Sequence, residues 1–477
     1  MSHEPEDQEF PDLAAAVSAA RESLSRFSRE DQPYLWAEAH YQLAEVLREH
    51  GQDLDDEARL EEALESLTNA LTVFSAEDHP ADWSAAHNLR GIVLRWLGIL
   101  RDDLDLIRAA VEAYRTALDS VSRVTHPHNW ACTQSNLGAA LSGLTDEDDS
   151  MDAAVAAYEA VMEIRTRTED PEGWAAAQSS LGLLFLSQAW ESKGGALIDP
   201  AKSALLSALS VYDRQRHTEE WLSVQYQLAG VHRIHAFLSG DVTMHETAAT
   251  IHEERLTVID RVISPEDWAE THKDIGDARK ALGESGTDPT QVPRAIAAYR
   301  SALEILTPES HGETWADATT CLAELLAPLH AEQRPDLADL RTAALAFESA
   351  LPWIPVDEPE EYFGALSRGL LTRLTLFERQ ENEMDLEAAL VAGEAALAAR
   401  PEALTEDAAE FRDLAIRSLG IMCECLGDLR QDAALIQRAV AFAERRLENL
   451  DPTDAEGRSS IEEELADLRD TLANLEG

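Results

Sequence analysis

Pro127-His128-Asn129-Trp130-Ala131, followed by Asn136-Leu137-Gly138, is one copy of a pattern that returns along the chain. Its tryptophan recurs at Trp36, Trp83, Trp130, Trp174, Trp221, Trp268 and Trp315, and Tyr362 and Phe411 continue the series. Successive steps are 47, 47, 44, 47, 47, 47, 47 and 49 residues. A period of this length marks a solenoid, whose units bury their apolar faces against neighbours instead of in one central core. Solenoids mostly offer binding surfaces and seldom carry chemistry.

Seven residues after the aromatic stands Leu43, Leu137, Leu181, Leu228, Ile275 or Leu322. At the eighth stands a small residue, Ala44, Gly91, Gly138, Gly182, Ala229, Gly276 or Ala323. Small residues at that slot let a neighbouring helix approach closely. The second half of each unit carries alanine, a bulky residue four later and alanine seven later, as in Ala110-Tyr114-Ala117, Ala201-Leu205-Ala208 and Ala295-Tyr299-Ala302. That spacing is one helical face. Between the halves, Glu49 to Asp53, Gly143 to Asp146 and Gly283 to Gly286 read as turns, so each unit is helix, turn, helix. Pro33, Pro80, Pro127, Pro171, Pro265 and Pro359 lie three residues before the aromatic and suit the first helical position, with a capping Ser or Asp expected ahead of them.

With these residues in place, the chain resembles the tetratricopeptide repeat, whose Leu-Gly and Ala-aromatic-Ala slots match Leu137-Gly138 with Ala154-Tyr158 and Ile275-Gly276 with Ala295-Tyr299-Ala302. It is most similar to the long bacterial variant that reads Pro-x-x-Trp-Ala, Asn-Leu-Gly, then Ala-x-x-x-Tyr-x-x-Ala. The ordinary unit is about 34 residues, so the helices or turns here are longer. The resemblance implies an all-α, right-handed superhelical α-solenoid of antiparallel helix pairs. Residues 1–30 read as a tail and capping helix (Leu13 to Phe27), 31–450 as about nine helix pairs in one long domain, and 451–477 as an acidic cap centred on Ile461 to Leu475. Caps at both ends predict that end-to-end polymerisation is blocked, leaving a monomer or a side-by-side dimer.

The formal net charge is −52, from 91 acids and 39 bases, only four of the latter being lysines: Lys193, Lys202, Lys273 and Lys280. Such a balance disfavours nucleic acid and anionic membranes as partners and favours a basic partner, unless it is solubilising background. The acidic runs Asp146 to Asp149 and Asp357 to Glu361 read as solvated turns without the spaced carboxylates and glycine of a calcium loop. No stretch approaches 18 uncharged apolar residues and Met1 to Phe10 is acidic, so a cytoplasmic protein is expected, without membrane span or signal peptide. Cys132, Cys321, Cys423 and Cys425 are scattered and read as reduced thiols.

The fifth unit breaks its own pattern. Eleven residues after the tryptophan, where other units carry Leu47, Leu94, Leu141, Phe185 and Leu326, it has His232, and its second helix has His252 and Arg255 where others place a bulky residue and alanine. His235 and His245 lie nearby in sequence, so four histidines were candidates to converge, while Arg279 takes the eleventh position of the sixth unit beside His272 and Lys273. Imidazoles on facing helices are usual zinc or iron ligands, but no His-Glu-x-x-His or cysteine pair accompanies these; buried hydrogen-bonded histidines are the leading reading, a polar patch for a ligand or partner carboxylate the second and metal the third. From Asp213 to Arg300 there are 10 bases and 15 acids, the least repulsive stretch for an acidic peptide.

The in-register tryptophans are expected to pack between units as core. Trp96, Trp190 and Trp353 fall outside the register and are candidates for exposed anchors. Neither a Gly-x-Ser-x-Gly elbow nor a phosphate-binding loop is present. The expectation is therefore a non-catalytic scaffold or adaptor with no cofactor or metal, binding a protein or peptide through His232, His235, His252, Arg255, His272, Arg279, Trp96 and Trp190. A ligand- or peptide-responsive regulator is the alternative, and a metal-dependent enzyme comes third. The family resemblance adds that long-variant repeats often accompany caspase-like proteases or signalling modules, which implies a separate effector of that kind as the partner.

Overall fold

The structure, a computed structural model, describes residues 11–144, 149–286, 288–328, 335–400, 405–450 and 454–476. Met1 to Phe10, and Thr145 to Asp148 of the first acidic run, lie outside the described residues. The chain forms twenty α-helices, with no strand among the described residues. It divides into two compact units that meet in sequence at Ser239 and Gly240.

The first unit holds α1 (Pro11–Leu24), α2 (Pro33–Asp53), α3 (Glu57–Ala70), α4 (Pro80–Leu100), α5 (Leu104–Ser120), α6 (Pro127–Leu141), α7 (Ser150–Ile164), α8 (Pro171–Glu191), α9 (Ile198–Leu209) and α10 (Thr218–Ser239). The second holds α11 (Thr243–Leu256), α12 (Pro265–Glu284), α13 (Gln291–Ala302), α14 (Pro308–Leu326), α15 (Leu337–Ala350), α16 (Pro359–Gln380), α17 (Glu383–Ala399), α18 (Glu406–Arg430), α19 (Ala433–Asn449) and α20 (Ala455–Glu476). Within each unit a long helix that carries the register aromatic packs against the shorter helix that follows it. This is the stacked helix pair expected from the tetratricopeptide resemblance.

The small residue and the bulky residue of each pair meet as the spacing predicts. A Cβ built on Gly91 would lie 2.5 Å from Cε1 of Tyr114, and one on Gly276 would lie 2.7 Å from Cε1 of Tyr299. Both tyrosines are fully buried. The long helix and the short helix thus touch ring against backbone. A helix stands at each end as well, α1 burying Val17 and α20 burying Ile461, Leu465 and Leu468.

Three local expectations are corrected. Glu49 to Asp53 and Gly283 to Glu284 are helical, not turns, because Gly51 and Gly283 are packing contacts, a Cβ there falling 2.8 Å from Leu60 and 2.7 Å from Val292. Reversal comes later, at left-handed residues such as Asp55 and Asp102, each at φ 50°. Proline does open the long helices, but the expected side-chain cap ahead of it is made by Asp170, which accepts from the Gly173 amide, and not by Ser264. Finally, of the in-register tryptophans Trp221 alone is buried and the rest are half-buried. An arginine seven residues upstream lies over several of these rings, Arg29 on Trp36, Arg167 on Trp174, Arg214 on Trp221 and Arg261 on Trp268, with guanidinium carbons 5.7, 5.6, 5.5 and 4.5 Å from the ring centres. The cation covers the part of the indole that the neighbouring helix leaves open.

Candidate functional site

Positions five, nine, twelve and sixteen after the register aromatic fall on one face of each long helix, since they are spaced four, seven and eleven residues from the first. In the first unit this face carries apolar side chains that stay in water. Leu183 and Trp190 of α8 are 48% and 55% exposed, and Tyr226 and Phe237 of α10 are 52% and 63% exposed. Trp190 and Phe237 hold the same register position on neighbouring long helices, and their rings meet at a tilt of 47° with centroids 5.5 Å apart. Ile99 of α4 shares the position and is exposed too.

On α12 of the second unit the same face is ionic. Lys273, Asp277 and Lys280 occupy positions five, nine and twelve of α12. Lys273 Nζ lies 3.0 Å from Asp277 and 2.5 Å from Asp317, and Lys280 Nζ lies 2.5 Å from Glu324 and 3.6 Å from Cys321 Sγ. Arg368 of α16 pairs with Glu324 from the other side. Two of the chain's four lysines therefore stand at one polar cavity of about 460 Å³, whose wall also carries Glu313, Glu358 and Glu361. Burial, against the pull of Lys280, drives the Cys321 thiol up to about 12, so it is a poor nucleophile. Loss of water and the carboxylates of Glu358, Asp317 and Glu313 push Glu361 up to about 7. The run from Asp357 to Glu361 is accordingly part turn and part helix start, since Pro359 opens α16.

The residues singled out in the fifth and sixth units fall into different settings. His232 and His235 lie on α10 in the first unit; His245, His252 and Arg255 lie on α11 in the second. His232 is buried, and its burial together with Lys202 and His235 holds it down at about 4, which keeps the imidazole neutral. His252 is also buried, with its Nδ1 3.1 Å from Arg255 Nη1 and 3.6 Å from Asp274. Arg279 is inside the protein, its side chain 1% exposed. Its Nη1 donates to Glu246 at 2.6 Å and to Gln291 at 3.0 Å, and its Nη2 donates to Glu253 at 2.7 Å. This guanidinium ties α11, α12 and α13 together. Among the described residues no three His, Cys, Asp or Glu side chains gather as a metal site.

His272 belongs to a motif that the pattern contained but the reading missed. It stacks edge-on against Trp268 four residues before it, centroids 4.1 Å apart, as His87 does against Trp83 at 4.3 Å and His40 against Trp36 at 4.4 Å. Burial lowers all three histidines, His87 to about 4. Because the folded value lies below the unfolded one, the unfolded chain takes up these protons first, and stability present above about 6.5 is lost as pH falls towards about 4. Melting temperatures measured across that window should fall less steeply for His87→Gln, the residue that Gln134, Gln178 and Gln225 place at this slot. Parallel curves for the variant and the wild type would contradict the assignment.

Of the off-register tryptophans, Trp190 and Trp353 are exposed, at 55% and 39%, and Trp96 is half-buried against the first core. Phe237 went unnoticed, though aligning the units on their tryptophans puts it beside Trp190. The four cysteines form no disulfide, and no helix among the described residues is long and apolar enough to cross a membrane.

No protein-family model matches the chain, and no characterised protein matches it by sequence. Among solved structures it is similar to a Rap protein complexed with competence and sporulation factor, at 12% identity and TM-score 0.39, covering 92% of this chain and 100% of that one. Human IFIT1, as a dimer with PPP-AAAA, gives 17% identity and TM-score 0.35 over 98% of this chain and 96% of that one. A signal-transduction ATPase with a tetratricopeptide repeat sensor from Pyrococcus horikoshii gives 11% identity and TM-score 0.45 over 92% and 63%. At these identities and scores none of them assigns a role to this chain.

Proposed function

We propose that this chain is a non-catalytic interaction scaffold that holds a segment of a partner protein along the exposed face of its long helices, with the Trp190 and Phe237 rings as the anchor. The observation that supports this reading is the register itself. Ile99, Leu183, Trp190, Tyr226 and Phe237 stand exposed on α4, α8 and α10, and leaving them in water costs free energy that a partner recovers by covering them. Aromatic anchors of this kind carry most of the energy of protein interfaces. The partner segment is expected to present large apolar side chains in return. The strong acidity of the chain would steer a segment with basic flanks towards it.

A photo-crosslinking residue placed at Tyr226, between the two anchors, would identify the bound chain, and its contacting segment would then be titrated against purified protein. Trp190→Ala with Phe237→Ala is expected to weaken binding by roughly 30-fold or more, as loss of hot-spot aromatics does. Val262→Ala, at a residue 89% exposed in a connecting turn, should leave it unchanged. Equal affinity for the double variant and the wild type would overturn the assignment of the anchor.

A further inference from the structure

The short helix α17 departs from α13 and α15 at the slot where those two helices hold an aromatic ring. Where α13 has Ala295-Tyr299-Ala302 and α15 has Ala343-Phe347-Ala350, α17 has Ala389-Gly393-Ala396. Leu370 of α16 and Leu419 of α18 close one side of the slot, their Cδ2 atoms each 2.8 Å from where a Gly393 Cβ would stand. The side facing Phe347 stays open as a cavity of about 470 Å³. Its floor is Ala365, Leu366, Gly369 and Leu370 of α16, and the small residues of α17 form one wall. Opposite them are Phe347 and Glu348 of α15, and Leu351, Pro352 and Val356 follow.

The far end is built, not frayed. Arg400, just past α17, donates to the carbonyls of Ile354 and Pro355 and lies 4.0 Å above the Tyr362 ring, so it pins the segment after α15 to the end of α17. Tyr362 in turn donates its hydroxyl to the Ala396 carbonyl at 2.9 Å. Glu348 is held by both Nε and Nη2 of Arg373 at 2.7 Å. Each charged or hydroxyl group on the wall thus has its partner within the protein.

We infer that this cavity is a binding site for an uncharged, apolar small molecule. Its volume is that of small-molecule sites, which are mostly apolar and largely preformed. The lining selects the class: Glu348 is ion-paired with Arg373, and Arg400 and Tyr362 spend donors on backbone carbonyls, so a neutral hydrocarbon-rich ligand loses no hydrogen bonds on entry, whereas a charged one gives up water that a mostly apolar lining does not replace. The site is built from α15, α16 and α17 and uses none of the residues proposed above as the partner anchor.

The test uses the full chain and N-phenyl-1-naphthylamine, a neutral probe that brightens in apolar surroundings. Wild type should bind one equivalent saturably. Ala392→Trp and Ala396→Trp, at an exposed and a half-buried position of α17, place an indole in the cavity and should each weaken binding at least tenfold while circular dichroism and melting stay those of wild type. Val391→Trp on the outward side of the same helix, and Trp190→Ala with Phe237→Ala, should bind as wild type does. The sulfonated probe 8-anilinonaphthalene-1-sulfonate should bind at least tenfold more weakly. Absence of saturable binding, or equal binding by the two cavity-filling variants, would overturn the site; equal binding of the sulfonated probe would overturn the ligand class.

Discussion

Gly91→Ala is expected to destabilise the protein, against the usual direction of that change in a helix. In a helix interior alanine is ordinarily favoured over glycine by about 1 kcal/mol. At Gly91 the added methyl would stand 2.5, 2.7 and 2.8 Å from three ring carbons of Tyr114, a side chain with no exposed surface and no free volume to retreat into. Overpacking of that kind costs roughly 1–3 kcal/mol, so the net effect is negative. Gly420 in α18 supplies the contrast, because its nearest neighbour would be Phe442 Cβ at 3.5 Å, an ordinary contact. Thermal melts followed by circular dichroism should show Gly91→Ala lowered and Gly420→Ala unchanged or raised. A rise at both positions would mean that the pair is looser than its ring-on-backbone contact implies. Because the ring contact is repeated at Gly138 and Gly276, and Leu205 takes the ring's place against Gly182, the result bears on how the whole repeat is held.

The second large effect is expected at Arg279. Alanine there removes the donors to Glu246, Glu253 and Gln291 and leaves a void among α11, α12 and α13. A void left by truncating a large buried side chain costs roughly 2–5 kcal/mol. Leucine is the informative comparison, since Leu47, Leu94, Leu141 and Leu326 fill this slot in other repeats. Replacing a buried ion group with a well-fitting apolar side chain is often neutral, and the carboxylates of Glu246 and Glu253, at 50% and 42% exposed, can turn to water. Hydrogen exchange across α11 to α13 should therefore accelerate strongly in Arg279→Ala and little in Arg279→Leu. Equal acceleration in both would show that the charge, not the packing, holds these helices.

Arg279 also marks how far the candidate site was legible. Its break in the leucine pattern is visible in the sequence, where it groups with His252 and Arg255 as a polar patch for a partner. Its position in the register was right, but its direction was hidden, because the acceptors that draw it inward stand 33 and 26 residues earlier on another helix. His272 was grouped with it for being near in sequence, although it repeats the setting of His40 and His87. Trp190 was found by being out of register. Phe237 was missed because a lone phenylalanine at a helix end carries no such flag.

The sequence by itself determined the repeat, the paired helices, the prolines that open them and the small-against-bulky contact between the two halves of a unit. All of these depend on spacings of a few residues along one helix, or on two slots that each unit writes again, so the pattern states them many times. Only the tertiary structure decided which aromatic rings remain in water, that Arg279 is an internal tie, and that the slot at Gly393 is closed by Leu370 and Leu419 on one side and open on the other. Those outcomes depend on side chains that arrive from separate helices, each present once, and a single occurrence has no period by which it can be read.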